Sequence, residues 1–230
     1  MAMTANIAAT HFTARDERYR EGPGLDALLD ILQPDCALAV AQRSLPEAVS
    51  QAAMRVCRQS DPVRIQLVAD SSDTEFKQRL YDALVELTGN PSDAENLWHD
   101  ACALVVNAEQ VQHRLSQLVP EDRQMRVRLE RINDDGCRLF HVDHIPFRLI
   151  CTWHGAGTQW LPEHSVDRSR LGTGSNQHVL DWQAVEQIPS GAVAAMKGNT
   201  WPDEHGRGLV HRSPPACTDQ PRLIIAVDLV

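Results

Sequence analysis

The chain has 230 residues, 43% hydrophobic and 23% charged, with a formal net charge of −9. That balance suits a folded protein of one large or two small domains and excludes an intrinsically disordered chain. The acidic excess argues against nucleic acid, which calls for a basic face. No apolar run approaches the roughly 18 residues of a membrane span, so no membrane partner and a cytoplasmic location are expected.

Residues 1–22 are small, polar and aperiodic, and Gly22-Pro23-Gly24 punctuates their end; they predict a flexible leader. Residues 36–41 and Val63–Ala69 are apolar runs that each follow a proline and read as short strands, with helical spacing over 45–57 between them. A β-α-β opening is the expectation. Ser72 and Glu75 fit a capping box ahead of Phe76, Leu80, Leu84 and Leu87, and Gly89 ends that helix. Asn90-Pro91-Ser92 opens a longer helix whose apolar stripe, from Leu97 to Leu118, runs on to Pro120. His99 and His113 sit at or beyond its margin and read as solvated.

After Pro120 the period changes to two. Met125, Val127 and Leu129 alternate with charged residues, and Asn133-Asp134-Asp135-Gly136 makes a turn. Further strands are expected at 139–142, 147–153, 192–196, 209–211 and 223–230. The predicted class is α+β: a mainly helical region with two short strands, 23–120, packed as one unit against a jelly roll, 121–230, with a ligand cavity between its sheets.

Seven of the ten histidines fall between His141 and His211. On a strand, residues two apart share a face, so His141 and Asp143 can point together into a cavity, and His211 can close the set from a neighbouring strand. Two imidazoles and a carboxylate occupy one face of Fe(II) and leave the other positions open. Arg222 opens the last strand, where a guanidinium can grip a carboxylate by two parallel bonds. Arg148, Trp153 and Trp160 are candidate pocket residues. A closed zinc site built from Cys137, Cys151, His144 and His154 is the alternative, although its spacing fits loosely. No cysteines are paired as C-x-x-C, and Cys36, Cys57 and Cys102 read as small buried hydrophobes. Ser213-Pro214-Pro215 reads as a rigid turn.

The order His141-x-Asp143, His211, Arg222 resembles the iron(II) and 2-oxoglutarate-dependent oxygenases. Residues 148–153, followed by Gly155-Ala156-Gly157-Thr158-Gln159-Trp160, are similar to the prolyl-hydroxylase-type strand and its Gly-Gly-x-Thr-x-Phe segment. The Gly-led run 190–196 is similar to a later strand. That resemblance implies a double-stranded β-helix and a hydroxylase-type dioxygenase acting on a small molecule or peptide. It implies Fe(II) on His141, Asp143 and His211, with 2-oxoglutarate on Arg222. Two features depart from it: Arg222-Leu223-Ile224 lacks the hydroxyl of an Arg-x-Ser pattern, and the tyrosine that often helps to hold 2-oxoglutarate has no counterpart.

A longer match, 140–160 with 166–168, Lys197-Gly198 and 210–215, resembles the bacterial domain of unknown function 1826, whose genes often accompany zinc-metallochaperone GTPases. That resemblance implies a second function, a non-catalytic zinc-binding protein of metal homeostasis with such a GTPase as partner.

Overall fold

Ten strands and three α-helices form among the described residues. In the computed structural model, which describes residues 17–59, 61–70, 72–118, 124–134, 137–202, 206–215 and 221–230, the elements follow one another as β1 (Tyr19–Pro23), β2 (Leu38–Gln42), α1 (Glu47–Cys57), β3 (Val63–Ala69), α2 (Thr74–Thr88), α3 (Pro91–Leu118), β4 (Met125–Ile132), β5 (Phe147–His154), β6 (Gln159–Trp160), β7 (Glu186–Gln187), β8 (Val193–Lys197), β9 (His211–Arg212) and β10 (Arg222–Leu229). Seven strands form one sheet in the order β1-β2-β8-β5-β10-β4-β3, and three form a smaller sheet, β7-β6-β9. Among the described residues only the β1–β2 pair is parallel, and a 3-10 helix at Leu25–Leu32 joins its strands.

Strand alternation gives the large sheet two chemically different faces. Along β10, Leu223, Ile225, Val227 and Leu229 pack into the helix-covered core, with Leu80, Leu97 and Leu104 among their neighbours in the cluster. Ile224 and Ala226 belong to a second cluster with Trp160 and Leu209 of the smaller sheet and its flank. Arg222 and Asp228 share the parity of that inner face, so two charged side chains are carried between the sheets on an otherwise apolar strand.

The helices begin and end where local chemistry dictates. Asp73, one residue after the expected Ser72, caps α2 by accepting from the Glu75 N–H at 2.8 Å, because Ser72 turns back to the Asp70 carboxylate. Gly89 ends α2 at φ 64°, a left-handed conformation costly for residues with a Cβ. Pro91 opens α3, with Asn90 Oδ1 accepting from the Ser92 N–H at 2.9 Å.

Several expectations are corrected. Residues 1–16 of the leader lie outside the described residues, and its last part, Tyr19–Pro23, is an edge strand. The β-α-β order is present as β2, α1 and β3, but its two strands are not neighbours, because β8, β5, β10 and β4 lie between them in the large sheet. Their burial explains this, since β2 is buried on both faces and belongs inside the sheet, whereas β3 alternates and belongs at an edge. Strands β1, β2 and β3 all join the sheet built mainly by the later half. Residues 139–142 make a single bridge at His141 rather than a strand. Pro120, Gly136, His205 and Cys217 lie outside the described residues. Among the described residues no helix is long and apolar enough to cross a membrane.

Candidate metal centre and cosubstrate cavity

His141 and His211 face one another across an isolated antiparallel bridge in which each backbone N–H donates to the other's carbonyl at 2.9 Å. Directly opposed residues put their side chains on one face, and the imidazole centroids are 4.7 Å apart. Each ring is oriented by its own chain: Nδ1 of His141 lies 2.9 Å from the Leu139 carbonyl, and Nδ1 of His211 lies 3.1 Å from that of Leu209. A carbonyl only accepts, so each Nδ1 is the protonated donor. In a neutral ring this leaves Nε2 with its lone pair.

Both Nε2 atoms are aimed at Asp143. Its Oδ1 is 3.6 Å from that of His141, and its Oδ2 is 3.2 Å from that of His211. Lone pairs of neutral imidazoles facing a carboxylate repel unless protons or a cation lie between them. Adjacent donors about 2.1 Å from a shared ion would be about 3 Å apart, close to these separations. The electrostatics report the same convergence. Burial works against the charge of Asp143, but His211, His141 and Arg148 hold its carboxyl well below the usual range. The Asp143 carboxylate raises His141 against the opposing effect of burial.

Asp143 is held by a loop with no room for added side chains. Its carbonyl accepts from the Asn199 N–H, and that of Pro146 accepts from the Gly198 N–H, both at 2.8 Å. A Cβ on Gly198 would lie 1.9 Å from the Ile145 carbonyl oxygen and 2.8 Å from that of Asp143. Gly198→Ala is therefore expected to cost about 1–3 kcal/mol, as overpacking does, and to weaken metal binding by displacing Asp143. Thermal melts of the metal-free protein and a metal titration check the two effects separately.

A ladder of alternating charge runs from Asp143 across the inner face of the large sheet. Arg148 Nη1 donates to Asp143 Oδ2. The other edge of Arg148 donates to Asp228, with Nε to Oδ1 at 2.6 Å and Nη2 to Oδ2 at 3.2 Å. Arg128 donates to Asp228 and to Glu130, and Arg64 reaches Glu130 from the exposed edge. Burial opposes the charge on Arg148, yet Asp228 and Asp143 keep its pKa above the ordinary value.

Arg222 lies outside that ladder. It is 7% exposed, and its Nε and Nη1 have no hydrogen-bond partner. Burial pushes its pKa down to about 10. Gly155, at φ 87°, makes room for its stem, since a Cβ there would lie 2.9 Å from Arg222 Cγ. Arg222, His141 and His211 line one cavity of about 450 Å³, together with Arg148, Ile150 and Thr158. A buried cation whose donors lack partners costs free energy that an anionic ligand can recover.

The sequence matches the family described as "Protein of unknown function (DUF1826)" over residues 22–228. The chain belongs to that family. No curated protein matches it. Among solved structures, this DUF1826 chain is similar to the dioxygenase for auxin oxidation 1 from Arabidopsis thaliana, with TM-score 0.51 and 11% identity over 92% of this chain and 93% of that one. It is also similar to JOX2 in complex with 2OG, Fe and JA, with TM-score 0.51 and 10% identity over 94% and 76%. At such identities the likeness is one of fold.

In the DUF1826 chain the four residues of the first expectation meet in one place, and among the described residues His141, Asp143 and His211 are the one group of potential metal ligands. The alternative zinc set does not assemble. Cys151 points to the helical side, where burial raises its thiol to about 12, while His144 is exposed and His154 sits at the end of β5. Cys137 alone of that set lines the cavity. Of the candidate pocket residues only Arg148 lines it. Trp153 is core, donating through Nε1 to Asp100 Oδ2 at 2.6 Å, and Trp160 packs between the sheets and stacks on Tyr19. Asp228 and Glu130 were not anticipated; the available signal was a carboxylate inside the apolar run 223–230 and the alternation Arg126-x-Arg128-x-Glu130.

Proposed function

We propose that the protein is an Fe(II)- and 2-oxoglutarate-dependent dioxygenase of hydroxylase type, and that its two facing sheets form a double-stranded β-helix. One observation carries the reading: a single cavity is lined by both histidines of the convergent His141, Asp143 and His211 set and by a buried guanidinium with unpartnered donors. Nitrogen and oxygen ligands that leave several positions open suit Fe(II), whereas a closed tetrahedral zinc site needs a fourth ligand. When bound, Fe(II) and 2-oxoglutarate supply the activation of dioxygen needed to oxidise a substrate C–H bond.

The chain's own residues bind and orient. His141, Asp143 and His211 take one face of the metal, their rings fixed by the Leu139 and Leu209 carbonyls. Arg222 takes the far carboxylate of 2-oxoglutarate and gains the partner it otherwise lacks. Ile224 stands where an Arg-x-Ser pattern has its hydroxyl, so Arg222 carries more of the recognition; Thr158 and Ser213 bring hydroxyls to the cavity wall. The apolar packing of Ile150 and Ile224 keeps the inner end of the cavity poor in water.

Aerobic incubation with Fe(II), a reductant and 2-oxoglutarate tests the reading through succinate. Metal-dependent succinate formation in the wild type, abolished by Asp143→Ala, is expected. Equal succinate from wild type and variant would contradict it.

A further inference from the structure

The two oxygens of Asp143 are in different situations. Oδ2 accepts from Arg148 Nη1 and also faces His211 Nε2 at 3.2 Å, whereas Oδ1 faces His141 Nε2 alone, at 3.6 Å. A guanidinium has a second way to meet a carboxylate, a fork of two parallel bonds that engages both oxygens. Arg148 forms that fork with Asp228 instead, through Nε at 2.6 Å and Nη2 at 3.2 Å.

The division is built into the sheet. Asp228 and Arg148 are direct cross-strand partners on β10 and β5, so backbone register sets their approach. Asp228 is 5% exposed and is held from its other side by Arg128 Nε at 2.8 Å. With Asp228 holding the Nε edge, the guanidinium is fixed in an orientation in which Nη1 is the donor that reaches Asp143.

We infer that Asp228 is a positioning residue of the metal centre: by holding the Nε edge of Arg148, it fixes the guanidinium in the orientation that gives Asp143 a single bond, at Oδ2, and keeps Oδ1 for the metal. The inference rests on the metal reading of His141, Asp143 and His211. Without the Asp228 carboxylate, the fork of Arg148 closes on the carboxylate it already touches. A divalent ion must then displace a fixed cation from both oxygens, beside a positive charge that has lost its neighbour on β10.

This device predicts an unusual pattern of signs. Asp228→Asn weakens metal binding by about 10–100-fold, the range found when groups behind metal ligands are altered. Arg148→Gln, which removes the competing cation, costs no affinity, and Asp228 keeps Arg128 as a partner in that variant. The double variant regains most of what Asp228→Asn loses. A ladder that merely stabilised the sheet would give losses in both single variants and a larger loss in the double.

Titration of Co(II) into the chelator-stripped full chain, followed by visible absorbance, reads both the dissociation constant and the coordination of the ion. A loss in Asp228→Asn with recovery in Arg148→Gln/Asp228→Asn is the expected result. Wild-type affinity in Asp228→Asn, or losses that add, would overturn the inference while leaving the metal reading intact. Equal Co(II) binding by wild type and His211→Ala would overturn the metal reading and the inference with it. If Asp228→Asn does not fold, Arg148→Gln decides: undiminished affinity supports the inference and a loss of about tenfold or more overturns it.

Discussion

His211→Ala is expected to weaken Fe(II) binding by more than about 100-fold, beyond the loss produced by altering groups behind a metal ligand. His211 supplies one of three donors, and the two left behind cannot define a face of an octahedron. The fold should survive, because the pairing with His141 is made by the backbone of residue 211 and the imidazole contributes only its Nδ1 bond to Leu209. Anaerobic metal titration with circular dichroism of the same samples separates the two effects: affinity collapses while secondary structure is kept. Retained affinity would remove His211 from the ligand set.

Arg222→Met is expected to move two measurements in opposite directions. Affinity for 2-oxoglutarate should fall by about 10–100-fold, since a hydrogen bond to a charged group contributes about 1.5–3 kcal/mol and each 1.4 kcal/mol is about tenfold. Stability of the ligand-free protein should rise, because a methionine of similar length has no charge to desolvate, whereas Arg222 has buried donors without partners and a pKa pushed down to about 10. For a chain of this length each kcal/mol gained raises the melting temperature by about 2–4 °C. A variant with lower stability and unchanged 2-oxoglutarate affinity would identify Arg222 as a structural residue.

The candidate site was legible in the sequence to the extent that its chemistry is written in residue type and order. His141-x-Asp143, His211 and Arg222 mark it, and strand parity puts Arg222 on the inner face of β10. Its route to convergence was not legible. The H-x-D spacing suggests a strand, yet His141 makes one bridge and Asp143 enters from a loop held by Gly198 and Asn199. Such packing depends on contacts some 55 residues apart in the chain, which local periodicity does not encode.

The same limit explains the fold. Val63–Ala69 is strand β3 with the expected bounds, and α2 and α3 follow their apolar stripes. Which edge each early strand joins depends on pairings with β8 and β4 much later in the chain. Parity could have gone further within β5: Cys151 and Trp153 share the parity of Leu149, on the helical side, and Arg148 has the other parity. That alternation separates Arg148 from Cys151 and Trp153 on the same strand. Asp228, by contrast, acquires its meaning only through Arg148, 80 residues away.

The central claim is that one site holds the metal and 2-oxoglutarate together. Its most direct test is an anaerobic titration of Fe(II)-loaded protein with 2-oxoglutarate, monitored for the visible charge-transfer band of a chelated iron–2-oxoglutarate complex. A saturable band at one equivalent of iron is expected, absent in His211→Ala and requiring more 2-oxoglutarate in Arg222→Met. Iron binding without any such band in the wild type, or an equal band in His211→Ala, would contradict it.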